Sequence, residues 1–228
     1  KKFKTIKLVK LDNNKGVGNA RNVGAKIAKH EILCFIDADV IITSNSIINL
    51  IKKLNQSSNI GSVSAIQEMV NLNTKDWSSN FVCLKSCYGF ENVEKETEFS
   101  LCTAEFSVMT KETLNQVGGW KPLRNAGGEE FYLGYKINQL NKKNYKIINA
   151  SYKTSYVNLY TRFKRIIDRT EKYIHIFLEK KKFDTEGSFA TFNQFLSSLL
   201  TLIIIVLVLF SSILDKSLLI AGILASSI

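Results

Sequence analysis

The chain has 228 residues, 45% of them apolar and 22% charged, with a formal net charge of +11. That composition is enough for one packed domain and excludes a disordered or collagen-like chain. The four cysteines, Cys34, Cys83, Cys87 and Cys102, lack metal-ligand spacing, so they read as reduced thiols facing a cytoplasm, with Cys83 and Cys87 on one helix face as core.

In chain order, Lys7-Leu8-Val9-Lys10-Leu11 alternates as a strand, and residues 12–19 carry turn chemistry around Gly16 and Gly18. A helix follows with Ala20, Val23, Ile27 and Ala28 on one face, and His30 ends it. Residues 31–36 form an apolar strand that stops at Asp37-Ala38-Asp39. Strand, Gly-rich loop, helix and second strand make a βαβ unit with its functional end at the carboxyl ends of the strands. Two carboxylates at such an end are either a solvated turn or the anchor of a divalent cation with a phosphorylated substrate. A dinucleotide site is disfavoured, because the third glycine position of that motif is Arg21 and the loop begins beyond the strand.

Residues 46–56 form a helix with Ile47, Ile48, Leu50, Ile51 and Leu54 inward, and residues 60–66 and 101–109 are further strands. The stretch 71–98 is the least legible. Residues 156–183 form a basic amphipathic helix: Leu159, Phe163, Ile166, Ile167, Ile174, Phe177 and Leu178 fall near one face, with Arg162, Arg165, Arg169, Lys172 and Lys180 on or beside the other. It either lies on an anionic membrane surface or packs on its own domain. Residues 195–214 are nearly all apolar and about 30 Å long as a helix, enough to cross a bilayer. Residues 217–228 open a second span. Lys180-Lys181-Lys182, upstream of the first span, puts the globular part on the cytoplasmic side. All of the positive excess precedes residue 190, which suits a phosphorylated ligand and an anionic membrane. Residues 1–150 show no basic stripe interleaved with aromatics, which argues against nucleic acid as a partner.

A series of ordered motifs carries a resemblance. Asn14-x-Gly16-x-Gly18-x-Ala20-Arg21-Asn22-x-Gly24 is followed by Phe35-Ile36-Asp37-Ala38-Asp39, then Val117-Gly118-Gly119-Trp120, then Gly128-Glu129-Glu130-Phe131 opening a helix. Together they resemble the centre of a family 2 glycosyltransferase, over residues 7 to about 150. The resemblance implies a GT-A fold (α/β, Rossmann-like, nucleotide-sugar-binding) over residues 1–155, then the amphipathic segment 156–190 and the spans. It implies donor binding by Asp37, Asp39, Arg21, Gly16 and Gly18, with Mg²⁺ or Mn²⁺ on Asp39 and Asp37. It makes Glu130 the catalytic base with Glu129 as alternate, and puts Trp120, Gly119 and Gly128 near the sugar or acceptor. From the residues alone, Glu129-Glu130 better suits a helix N-terminus, which the family motif reverses, while Trp120 equally suits a core anchor and Arg21 a surface ion pair.

The pattern also departs from the family. The first strand–helix–strand with its Asp-Asp-x-Ser is absent and the chain starts at Lys1 without Met, so it reads as an N-terminally truncated fragment. Glu-Glu replaces Glu-Asp, Lys136 stands where Arg is common, and neither the later His nor Gln-x-x-Arg-Trp occurs. The expectation is an inverting, metal-dependent glycosyltransferase moving single sugars from a nucleotide-sugar donor to a lipid-linked or glycan acceptor at the membrane. A catalytically silent membrane protein of the same fold, acting in binding or assembly, is the alternative.

Overall fold

The computed structural model describes residues 5–73, 75–87, 96–123, 127–180 and 192–214. Its elements run α1 (Val17–Ile27), β1 (Ile32–Ile36), β2 (Val40–Ile42), α2 (Ser46–Leu54), β3 (Ile60–Asn71), α3 (Trp77–Cys87), β4 (Glu96–Phe99), β5 (Phe106–Thr110), α4 (Lys111–Gln116), α5 (Glu129–Gln139), β6 (Lys143–Thr154), α6 (Leu159–Lys180) and α7 (Phe192–Leu214).

Six strands form one mixed sheet in the order β1-β5-β3-β6-β2, with β4 also on β6. Among the described residues only β3 and β6 pair in parallel. Both β1 and β3 are antiparallel to β5, so they run in the same direction. Asp37, which follows β1, and Asn71, which ends β3, therefore leave the sheet at the same end. That end carries the site.

The expected strand over residues 7–11 does not form, and so the βαβ unit is only its last two members, α1 and β1. A strand needs a partner for its backbone groups. Among the described residues β1 pairs only with β5, and Ile6 and Leu8 stand 65% and 83% exposed. Residues 101–105 are likewise not strand; β5 starts at Phe106, and the preceding loop is buried instead.

Two clusters pack the faces of the sheet. Leu33 and Phe35 of β1 join Met109, Leu114, Trp120, Leu133 and Ile137 on one side. Leu50 and Leu54 of α2 join Val63, Phe106, Val108 and Tyr152 on the other. Each fully buried side chain of this kind contributes roughly 1.5–3 kcal/mol. Strand β1 alternates, with Leu33 and Phe35 inward and Cys34 and Ile36 outward. In α2 the inward face is Leu50 and Leu54, flanked by Ile47 and Ile51, while Ile48 is exposed.

Helix α1 turns only part of the expected face inward: Ala28 packs on the core and Val23 is half-buried. Ala20 and Ile27 are exposed, whereas Gly18 and Ala25 are buried and Arg21 and Asn22 lie beside them. A polar face can be buried where its groups are bonded, and here the Arg21 guanidinium holds Asp37 and Glu129 while the Asn22 amide holds the Trp120 backbone. Helix α3 occupies part of the stretch that the sequence leaves unread. It buries Val82, Cys83 and Cys87 against Tyr156, so these thiols are core, with Cys87 Sγ 3.3 Å from the Tyr156 hydroxyl.

Residues 1–181 and 182–228 form two compact units. In the second, α7 covers the expected first span. Among the described residues no helix is long and apolar enough to cross a membrane. The expected second span at 217–228 lies outside the described residues, as does the lysine pair Lys181-Lys182.

Candidate active site

Arg21 organises the site. Its side chain is 10% exposed and reaches two carboxylates, Asp37 Oδ1 at 2.8 Å and Glu129 Oε1 at 3.4 Å. Its guanidinium also lies 4.8 Å from the centre of the Trp120 ring. One arginine thus ties together α1, the turn after β1, the start of α5 and the glycine-rich turn before Trp120. A planar five-donor cation is suited to bridging two carboxylates in this way; a lysine is not.

The turn that carries Trp120 is fixed by Asn22. The Trp120 N–H donates to Asn22 Oδ1 at 2.8 Å, and Asn22 Nδ2 donates to the Trp120 carbonyl at 2.8 Å. Gly119 sits at φ 82 beside this clamp, and a Cβ there would meet Asn22 Oδ1 at 2.8 Å. Only glycine fits such a position without strain. Gly18 has a similar requirement: a Cβ would collide with the Lys121 carbonyl oxygen. The glycine thus lets α1 approach the loop after Trp120. Gly16 precedes α1 and donates its N–H to Asn14 Oδ1 at 3.0 Å.

Trp120 is 1% exposed and packs edge-on to Phe35, with ring centres 5.2 Å apart. This corrects the expectation of a sugar contact. The indole is core, and its outward task is to support Arg21.

The two glutamates differ. Glu129 is 5% exposed and bound on both oxygens, to Arg21 and to the Gly127 N–H at 2.7 Å. Gly128, at φ 94, is the N-cap of α5. Glu130 points to the loop before β5, where its Oε1 accepts from the Ala104 N–H at 2.7 Å. Burial pushes its carboxyl up to about 8, and the neighbouring Glu105 and Glu129 add to the rise; the Ala104 amide and Arg21 oppose it. A carboxyl near neutrality can take a proton and give it back.

The same loop locks the site together. The Asp37 N–H donates to the Glu105 carbonyl at 3.0 Å, and the adjacent residue Ala104 holds Glu130. Asp37 and Glu130 are therefore anchored to consecutive residues at one end of the sheet. Asp39, two residues on, has its carbonyl fixed by the Thr154 hydroxyl at 3.2 Å and its side chain exposed.

Glu105 and Lys146 escaped the sequence reading. One oxygen of Glu105 is buried without a hydrogen bond among the described residues. Lys146 of β6 is 6% exposed, and burial lowers the affinity of its amine for a proton while Glu105 and Glu130 raise it. The available signal was the one Asp37 gave: a carboxylate at the boundary of an apolar strand, here just before Phe106.

Among the described residues no three His, Cys, Asp or Glu side chains gather to hold a metal. Asp37 and Asp39 supply hard oxygen donors, and Asp37 is already paired with Arg21. This set fits an oxygen-seeking cation that draws most of its ligands from phosphate and water, and does not fit a protein-only cage.

The model of the family described as "Glycosyl transferase family 2" matches residues 1–118. A poly-beta-1,6-N-acetyl-D-glucosamine synthase of Staphylococcus epidermidis is 25% identical over 127 residues, which cover 53% of this chain and 30% of that protein. The crystal structure of GalNAc-T7 with UDP, GalNAc and Mn2+ superposes with a TM-score of 0.50 at 17% identity, over 65% of this chain and 32% of that one. The structural likeness is one of fold. In both cases the match spans less than a third of the relative's own length.

Proposed function

The chain belongs to glycosyl transferase family 2, with an α/β GT-A-like fold, and from that premise we propose that it moves a sugar, with inversion, from a nucleotide-sugar donor to a lipid-linked or glycan acceptor at the cytoplasmic face of a membrane. The observation that carries this reading is the shared anchorage of Asp37 and Glu130 on Glu105 and Ala104, with Arg21 bridging Asp37 to Glu129.

The division of labour follows from the surroundings of each carboxylate. Glu129 is spent on Arg21 and the Gly127 amide, so it positions. Glu130 holds one backbone amide and a raised proton affinity, so it is the base. The acceptor oxygen attacks the anomeric carbon, the bond from that carbon to the diphosphate oxygen breaks, and the acceptor proton passes to Glu130. The nucleotide diphosphate leaves with the bonding electrons. Asp39, exposed, with Asp37 beside it, is the ligand pair for Mg²⁺ or Mn²⁺. When bound, such an ion supplies Lewis-acid stabilisation of the leaving diphosphate. Gly16 and Gly18 shape the start of α1 on the donor side, and Gly119 and Gly128 the turns on the sugar side.

The absence of Gln-x-x-Arg-Trp from the chain favours single-sugar transfer. The similarity to a poly-beta-1,6-N-acetyl-D-glucosamine synthase supports polymer synthesis as a second reading. Product length on a defined acceptor separates the two.

Donor titration and single-turnover assays test the assignment. Asp39→Ala is expected to lose metal-dependent donor binding, and Glu130→Gln to keep donor binding and lose turnover by at least about 100-fold. Equal loss of donor affinity in both variants would contradict separate roles.

A further inference from the structure

Helix α3 is apolar on two sides. One side is the Val82, Cys83 and Cys87 core. The other is a stripe at i, i+4 and i+7, Trp77, Phe81 and Leu84, which stand 77%, 50% and 52% exposed. Large apolar side chains left in water in a contiguous row mark an interaction surface. Helix α6 packs beside α3: the Arg162 guanidinium donates to Ser86 Oγ at 3.2 Å, and the Leu159 N–H to Ser78 Oγ at 3.2 Å. It carries a stripe of its own, Tyr160, Phe163, Ile174 and Leu178, all at least half exposed.

Around α3 and the first turns of α6 the charge has one sign, whereas Asp168, Glu171 and Glu179 interleave with the cations farther along α6. Residues 77–87 and 159–165 contain no Asp or Glu. Lys75 precedes α3 and Lys85 lies in its last turn, both exposed, and Lys164 and Arg165 are exposed on α6. Asp76, just before α3, has its carboxylate turned back onto the Ser78 and Ser79 N–H groups at 3.1 and 3.2 Å.

We propose that α3 and α6 together form a surface that docks on an anionic lipid bilayer, with Trp77, Phe81, Leu84, Tyr160 and Phe163 entering the acyl boundary and the flanking lysines and Arg165 meeting headgroup phosphates. Exposed aromatic and aliphatic side chains flanked by cations, with no carboxylate within residues 77–87 or 159–165, complement a bilayer and do not complement a basic or neutral protein. The surface lies at the working end of the sheet. Strand β3 ends there and leads into α3, and the far end of α6 reaches the loop after Trp120 through Glu179, 3.7 Å from Lys121 Nζ. A lipid-borne acceptor would therefore arrive beside Glu130. This inference extends the membrane reading above from α6 to α3, and asks nothing of the chemistry.

Trp77 is its own probe. The chain has two tryptophans, and Trp120 is buried. The full chain is floated with phosphatidylcholine vesicles, with and without phosphatidylglycerol, some carrying brominated acyl chains. The Trp77 emission is the difference between the chain and its Trp77→Phe variant. On anionic brominated vesicles it should fall by roughly half, as for a side chain seated at the acyl boundary, while the emission of Trp120 is unchanged. Trp77→Ser with Phe81→Ser and Leu84→Ser should lower the vesicle dependence of activity without altering the fold, since all three positions are exposed. A chain that floats with its Trp77 emission unquenched would overturn the α3 surface and leave the membrane reading intact. A chain that floats with neither vesicle would overturn both. An emission change with soluble oligosaccharide in place of lipid would assign the stripe to a glycan and overturn the proposal.

Discussion

Without Arg21, the carboxylates of Asp37 and Glu129 would lose the cation between them. Glu129 is buried and Asp37 is partly so, and an unpaired charge in that position is costly. Arg21→Ala is expected to destabilise the chain by about 3 kcal/mol, and chemical denaturation measures it. Arg21→Lys should rescue only part, because one ammonium cannot span both carboxylates; full rescue would show that the bridge is unimportant. Glu130 carries the second prediction at this scale. Its folded-state carboxyl is pushed up to about 8 from an ordinary 4.5, so between these values the folded chain holds a proton that the unfolded chain releases. Its contribution to stability is therefore full below about pH 4.5 and is lost as pH rises through about 8. Glu130→Gln should flatten that part of the stability–pH curve. The base must be ionised to work, so kcat/KM should rise with pH toward the same value. A profile that falls over this range would point to a protonated catalyst instead.

Helix α1 is held by a contact that leaves no room for a side chain. A Cβ at Gly18 would strike the Lys121 carbonyl oxygen, and backbone on both sides cannot yield easily. Gly18→Ala should cost about 1–3 kcal/mol and, by moving Arg21, lower activity more than its thermal shift alone would suggest. Paired melting and activity measurements check this; an unperturbed enzyme would mean that α1 can slide. Gly24, on the same helix, has open space around it, and Gly24→Ala should instead be neutral or stabilise by up to about 1 kcal/mol. Helix α6 shows the complementary case. Its apolar stripe at Phe163, Ile174 and Leu178 is exposed, so its packing against α3 and Lys121 uses polar contacts and leaves the apolar side for another partner.

For the whole molecule, the test is extraction. Removing everything after Ser188 from the full-length protein should make the globular part extractable without detergent, while leaving it attracted to anionic vesicles at low salt. That attraction should weaken as salt screens it. If the shortened protein ignores anionic vesicles at low salt, α6 is a structural helix only.

The candidate site residues could be named from the sequence because chemistry constrains residue types at fixed spacing. Asp37, Asp39 and the Glu129-Glu130 pair stand at element boundaries in the order the family motifs require, and Gly16 and Gly128 mark the starts of α1 and α5. Local periodicity also located β1, α2 and α6 to within a few residues, and the family resemblance located the start of α5. What the sequence could not determine is which partner each group meets. Arg21 and Asp37 are 16 residues apart, and Arg21 and Glu129 are 108; no local pattern encodes such pairings. The inward face of α1 was misread at Ala20 and Ile27, though not at Ala28, because an apolar stripe predicts burial only where polar groups lack partners. Trp120 became core, and residues 7–11 failed to become a strand, for related reasons. Burial depends on what packs across the turn, and a strand exists only where a neighbouring strand offers its backbone. Chain chemistry thus determined which residues could act, and tertiary packing decided which of them are free to.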